Sequence, residues 1–293
     1  MPVRPRIGFH APIKGGVHNA LIVAKDTGCD TVQLFSRNPR GWMAKPLTLD
    51  DVLLFRKTRK QTKLSPVLIH CNYLVNLAAS DDLMLQKSRE SFREEVERAL
   101  LLGVDYLVVH PGSARGSCEA DGIALCATSL KIACKGLKLD SLRILLENTA
   151  GQGDCIGRAF EQVAEIVAGC EADVPMGVCL DTAHTFAAGY ELISEAGFRR
   201  TMRALRETVG LERVRVIHFN DSKAAFGSNV DRHWHIGEGA IGLEGLGRVA
   251  RYRPLTHAAL ILETPIDADH TEAWNFARLE ELADGERRSV DQP

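Results

Sequence analysis

Leu142-Arg143-Ile144-Leu145-Leu146-Glu147 is an almost unbroken apolar run that ends on a carboxylate. So short and so apolar a run suits a strand covered on both faces, as in a parallel sheet wrapped by crossover helices. Working outward from it, seven comparable runs recur: Arg6–His10 (RIGFH), Thr31–Phe35 (TVQLF), Val67–His70 (VLIH), Asp105–His110 (DYLVVH), Met176–Asp181 (MGVCLD), Val214–His218 (VRVIH) and Ala258–Glu263 (AALILE). Helical patterns lie between them. In Leu83–Leu102, Phe92, Val96, Ala99 and Leu100 repeat at helical spacing and Gly103 supplies a stop. Thr48 is placed as an N-cap, with Asp50 and Asp51 in the first turn of a helix running toward Lys63, and the last helix starts near Thr271. Strands alternating with helices predict one (β/α)₈ TIM barrel over residues 1–285, with a polar tail at 286–293.

The 293 residues give room for one barrel of about 250 residues. A formal net charge of -2 offers no general attraction to polyanions, so contact with nucleic acid must rest on a local patch or on bound cations. The eight cysteines include no C-x-x-C pair and read as reduced thiols of a cytoplasmic protein. No charged and then apolar leader opens the chain, and no apolar run nears the roughly 18 residues of a membrane span. The expectation is a cytoplasmic enzyme without a membrane partner.

Six of the eight runs end on His70, His110, Glu147, Asp181, His218 and Glu263. In a parallel barrel all strand C-termini open on one face, so residues distant in sequence converge at one rim. Alone, each would be an ordinary hydrogen-bonded core residue. Three carboxylates after apolar stretches cost several kcal/mol each to bury without partners, and cations are the simplest partners. Asp181 and His184, three apart, and Asp231 and His233, two apart in the long stretch from Asn220 to Gly247, add donors. A cysteine-free set of imidazoles and carboxylates suits Zn²⁺, with Mn²⁺ or Fe²⁺ as alternatives. Nine donors suggest two or three ions, an arrangement suited to phosphate esters. Cys71, beside His70, should point away from the rim if the strand continues through it.

The segments around these residues resemble the endonuclease IV family of apurinic/apyrimidinic endonucleases. They are Gln33–Arg40 (QLFSRNPR), His110–Ser113 (HPGS), Glu147–Gly153 (ENTAGQG), Asp181–Tyr190 (DTAHTFAAGY), His218–Lys223 (HFNDSK), Asp231–His233 (DRH) and Gly237–Gly242 (GEGAIG). The likeness runs from about Ile7 to Trp274. It implies three zinc ions: one on His70, His110 and a bridging Glu147, one on Glu147, Asp181, His218 and Glu263, and one on His184, Asp231 and His233. It also implies hydrolysis of the phosphodiester 5′ to an abasic site in duplex DNA, with a 3′-hydroxyl left behind, Glu147 and Glu263 orienting the attacking water, and trimming of blocked 3′ ends. One barrel suffices for one lesion in that family, which implies a monomer.

A nuclease acting on a damaged duplex needs a wedge beside the metal rim. After the second strand, Arg37, Arg40, Trp42 and Lys45 set cations among aromatic and apolar residues; after the third come Tyr73 and Leu74. The resemblance puts Arg40, Tyr73 and Leu74 at the positions that enter the DNA. The basic run Arg56–Lys60 reads as a solvated helix face. The rival reading is a metal-dependent sugar isomerase or epimerase on the same barrel, which normally holds one or two ions through mostly carboxylate ligands.

Overall fold

The protein is described from a computed structural model, over residues 4–139 and 141–284. The tail expected at 286–293 lies outside the described residues. Eight parallel strands form the barrel: β1 (Ile7–Phe9), β2 (Val32–Phe35), β3 (Val67–His70), β4 (Tyr106–Val109), β5 (Arg143–Glu147), β6 (Met176–Asp181), β7 (Val214–His218) and, last in the chain, β10 (Ala259–Leu262). Their order is β1-β10-β7-β6-β5-β4-β3-β2. A parallel bridge between His10, just past the end of β1, and Gln33 within β2 closes the seam. There the strands approach so closely that a Cβ on Gly8 would lie 2.0 Å from the Thr31 carbonyl oxygen.

Helices α1 (Val17–Thr27), α2 (Leu49–Thr62), α3 (Asp82–Leu102), α4 (Glu119–Cys134), α5 (Phe160–Cys170), α6 (Thr182–Ala187), α7 (Glu195–Thr208), α8 (Gly242–Ala250) and α9 (Glu272–Asp284) surround the barrel or follow its rim. The start expected for α2 is present: the Thr48 hydroxyl accepts from the Asp51 N–H while Asp51 accepts from the Thr48 N–H. Gly103 ends α3 in a left-handed conformation. No helix among the described residues is long and apolar enough to cross a membrane.

The stretch after β7 is more ordered than its glycines suggested. Asp221–Ser222 (β8) pairs antiparallel with His233–Trp234 (β9). The buried Asp221 carboxylate accepts from the backbone N–H groups of Gly237, Gly239, Ile241 and Gly242, folding the return segment around one anion. That turn chemistry carries His233 back to the rim.

Candidate metal centre

Inside the barrel, Leu68, Val108, Leu145, Cys179, Val216 and Ile261 pack together as an apolar layer. Each precedes a candidate donor by two residues, and the strand period of two brings His70, His110, Glu147, Asp181, His218 and Glu263 to the same inner face one layer higher. His110 and Glu263 lie one residue past their strands and the other four end theirs. The apolar layer is a floor, and the donors stand on it.

Glu147 is the hub and has no solvent exposure. Its Oε2 lies 3.2 Å from His70 Nε2 and 3.3 Å from His110 Nε2, while Oε1 lies 2.8 Å from His218 Nδ1. Glu263 Oε2 is 3.2 Å from the same His218 Nδ1. Asp181 is the N-cap of α6; its side chain accepts from the His184 N–H and thereby turns His184 toward the site. His184 Nε2 lies 3.2 Å from Asp231 Oδ1, and His233 Nε2 lies 3.4 Å from Asp181 Oδ2 and 3.6 Å from Asp231 Oδ1. Three sets of donor atoms fall within 4.8 Å in this site: His70, Glu147 and His218; Asp181, His184 and His233; and Glu147, Asp181, His218 and Glu263. All nine residues named from the sequence come to one place.

The donor set fits metal on two counts. First, the rear nitrogens of four histidines face carbonyl oxygens: His70 Nδ1 to Cys71, 2.7 Å; His184 Nδ1 to Asn148, 2.9 Å; His233 Nδ1 to Glu263, 3.2 Å; His218 Nε2 to the Gln33 side chain, 2.9 Å. A carbonyl accepts only from an N–H, so each ring keeps a proton at the rear and leaves its inward nitrogen for a cation or, without one, a second proton. Second, the inward nitrogens His184 Nε2 and His233 Nε2 are buried without a hydrogen bond. Such orphans are rare unless a ligand completes them.

Electrostatics agree. Burial opposes the charge on Glu147, yet the surrounding His110, His218 and His70 hold its pKa well below the carboxylate range, and Glu263 is likewise depressed, chiefly by His218. Burial also opposes protonation of His184, but Asp181, Asp231 and Glu147 lift its pKa to about 10. His218 is raised well above its ordinary value against the same penalty, by Cys179, Glu147 and Glu263. Without a cation, protons on imidazoles balance the carboxylates.

A cavity of about 310 Å³ opens above the cluster, lined by His70, His110, His184, His233, Glu263 and Tyr73 among others. Tyr73 is 62% exposed, its ring 5.3 Å from Phe35, and Leu74 beside it is half-buried. Arg40 is exposed on the neighbouring loop, which is tied to the Tyr73 N–H through the Pro39 carbonyl at 3.1 Å. Arg37 departs from the expectation for this loop. It is buried, bound to Glu95 at 2.7 Å and Glu94 at 2.6 Å on α3, and serves as an anchor rather than a free cation. Cys71 is buried beside Glu95 and Arg37, away from the donors, as the strand alternation required.

Four partners of the donors were absent from the sequence reading. Asn220 donates to Asp181 Oδ2 and accepts from the Glu263 N–H, both at 2.8 Å; Asn148 accepts from the Asp181 N–H at 2.7 Å. Gln33 and His10 contact Glu263 at 2.6 and 3.3 Å. Both stand on the inner face at the seam, and the first run, RIGFH, already ended on His10. Elsewhere His235, Asp267 and His270 also come together, but the two rings stack at 4.0 Å, so their in-plane lone pairs do not converge, and hydrogen bonds to Asp267 satisfy both. That group latches the β10–α9 loop.

Over residues 21–284 the chain matches the family described as xylose isomerase-like TIM barrel, which sets its class: a (β/α)₈ enzyme fold with a metal-competent rim. It is 42% identical over 280 residues to a probable endonuclease 4 of Solibacter usitatus, covering 95% of this chain and 97% of the relative. The crystal structure of endonuclease IV from Thermus thermophilus superposes with a TM-score of 0.85 at 39% identity, covering 96% and 99% of the two chains. The chain belongs to the endonuclease IV family of AP endonucleases and is a hydrolase of that type. A D-tagatose 3-epimerase-like structure aligns at TM-score 0.68 and 16% identity over 93% of this chain and 94% of its own, a likeness of fold alone.

Proposed function

We propose that the protein is a zinc-dependent DNA-repair endonuclease that hydrolyses the phosphodiester 5′ to abasic sites in duplex DNA, leaves a 3′-hydroxyl, and trims blocked 3′ ends. The observation that carries this reading is the donor cluster gathered around buried Glu147 beneath an open cavity: seven residues in three close sets, with His110 against Glu147 and Asp231 against His184. His70, His110 and Glu147 hold one ion; Glu147, Asp181, His218 and Glu263 a second; His184, Asp231 and His233 a third. The donor chemistry favours Zn²⁺ and also suits Mn²⁺ or Fe²⁺. Bound metal supplies Lewis-acid neutralisation of the phosphate and water that ionises near pH 7.

The chain's own groups do the positioning. Glu147 and Glu263 approach His218 Nδ1 from two sides and orient the attacking water. Asn220 fixes the carboxylate of Asp181 and the strand end of Glu263, and Asn148 holds the Asp181 backbone. Tyr73 lines the cavity, with Leu74 next to it and the exposed Arg40 on the neighbouring loop, and this aromatic ring and cation would fill the gap left by a missing base. Every donor comes from one chain, so a monomer suffices.

The test is incision of a duplex oligonucleotide bearing one abasic-site analogue. Metal-stripped protein is expected to be inert and zinc-restored protein to cut once, on the 5′ side. Intact duplex after incubation with fully zinc-loaded protein would refute the proposal.

A further inference from the structure

The barrel seam places Gln33 against three groups at once. Its Oε1 lies 2.9 Å from His218 Nε2, and its Nε2 lies 2.6 Å from Glu263 Oε1 and 3.0 Å from His10 Nδ1. Reversing the amide would press its oxygen onto a carboxylate oxygen at 2.6 Å with no proton between them, so its orientation is fixed by its surroundings. Two consequences follow for the neighbouring rings. His218 must donate from Nε2, so Nδ1 is the nitrogen left for a cation, and without one a proton holds it between Glu147 and Glu263. His10 must accept at Nδ1, so the proton of its neutral ring sits on Nε2. The approach of His10 Nδ1 to Glu263 Oε1, at 3.3 Å, is longer than either bond from the amide.

His10 lines the cavity, and its Nε2 is buried without a hydrogen bond. The inward atoms of His184 and His233 are orphaned too, but their rear nitrogens already donate to carbonyls, so a cation can take the inward ones. An N–H cannot ligate a metal. It needs an acceptor, and the cavity is where an acceptor arrives.

We propose that Gln33 sets the tautomers of two histidines, presenting His218 Nδ1 to a cation and making His10 a neutral N–H donor to a phosphoryl oxygen of the substrate. The phosphoryl class rests on the function proposed above; the tautomer assignment does not. Gln33 is then a positioning residue, and His10 a catalytic one that touches substrate without binding metal.

The experiment uses full-length zinc-loaded protein. Imidazole ¹⁵N spectra, with the His10 signals identified by their loss in His10→Gln, are expected to show His10 protonated on Nε2. Gln33→Glu puts an acceptor opposite Nδ1 and should move that proton to Nδ1. In calorimetry with inorganic phosphate, His10→Phe should weaken binding about tenfold, the worth of one hydrogen bond to an anion. His10→Gln, which restores an N–H, should recover most of the loss. Zinc affinity, measured by chelator competition, should stay within about threefold in both His10 variants and fall about 10- to 100-fold in Gln33→Met. Protonation of His10 on Nδ1 in the parent, or unchanged phosphate binding in His10→Phe, would overturn the proposal. None of these readouts needs DNA incision, so a parent protein that fails to cut refutes the proposed function and leaves this assignment to its own result.

Discussion

Glu263 receives Gln33 on one oxygen and faces His218 with the other, so a change there separates charge from shape. Glu263→Gln keeps the volume and removes the charge. Incision measured in single turnover should fall on the order of 10²- to 10⁴-fold, the usual weight of a positioned acid-base group, while gel-shift affinity for the abasic duplex changes little. Parental cutting would remove Glu263 from the reaction. Tyr73→Ala should act differently: its exposed ring is absent from the donor cluster, so the preference for abasic over intact duplex should shrink while metal content holds. At this scale the sequence was legible wherever the period of two applied. Leu145 and Glu147, or Val216 and His218, declare a floor residue and a rim residue by spacing alone. His184, Asp231 and His233 have no strand period to mark them; a spacing of two or three residues made them candidates, and the resemblance carried more of the weight. Gln33 stayed hidden because an amide between two apolar residues of a strand carries no signal until His218, 185 residues on, closes against it.

The elements that present the wedge depend on α3. Its Glu95, almost fully buried, accepts from the Arg37 Nε at 2.7 Å, the Ser36 hydroxyl at 2.7 Å and Asn72 at 3.4 Å, joining the loops after β2 and β3 to one helix. The Trp42 ring adds a second tie under Lys87 at 4.5 Å. Glu95→Ala leaves the buried Arg37 guanidinium only the half-exposed Glu94 as carboxylate partner, so the cost approaches but stays below the roughly 3–5 kcal/mol of a fully broken buried pair. The variant should therefore unfold at markedly lower urea, and proteolysis should strike residues 38–47 and 72–80 first. Unchanged urea midpoint and cleavage pattern would show the network to be dispensable. Arg37 and Arg40 look alike in the sequence, three residues apart with similar neighbours. Only the carboxylates of Glu94 and Glu95 on another element distinguish an anchor from a free cation. The stretch after β7 was opaque for a related reason: its order comes from one carboxylate, Asp221, accepting from backbone groups up to 21 residues away.

For the whole molecule, cation and proton compete for the same cluster, and the balance sets the pH dependence of stability. In metal-free protein His184 has a folded pKa of about 10 and His218 also stands well above the ordinary 6.5. A raised folded pKa contributes stability that is fully present below the unfolded value and is lost as pH climbs through the folded one. Stripped protein should thus lose stability steadily from about pH 6.5 upward. The metal-loaded form has already exchanged those protons for cations and gains affinity as pH rises, because ligands must be deprotonated to bind. A cation at about 1,000 times its dissociation constant stabilises by about 4 kcal/mol, which is several degrees in melting temperature for a chain of this size. The melting-temperature gap between zinc-loaded and EDTA-treated protein should accordingly widen between pH 6 and pH 8. Zinc binding at pH 7 should release protons, seen as an apparent enthalpy that varies with the ionisation enthalpy of the buffer. A gap that narrows with pH, or an enthalpy indifferent to buffer, would mean that the imidazoles around Glu147 are not protonated before metal enters, and that the carboxylates are balanced some other way.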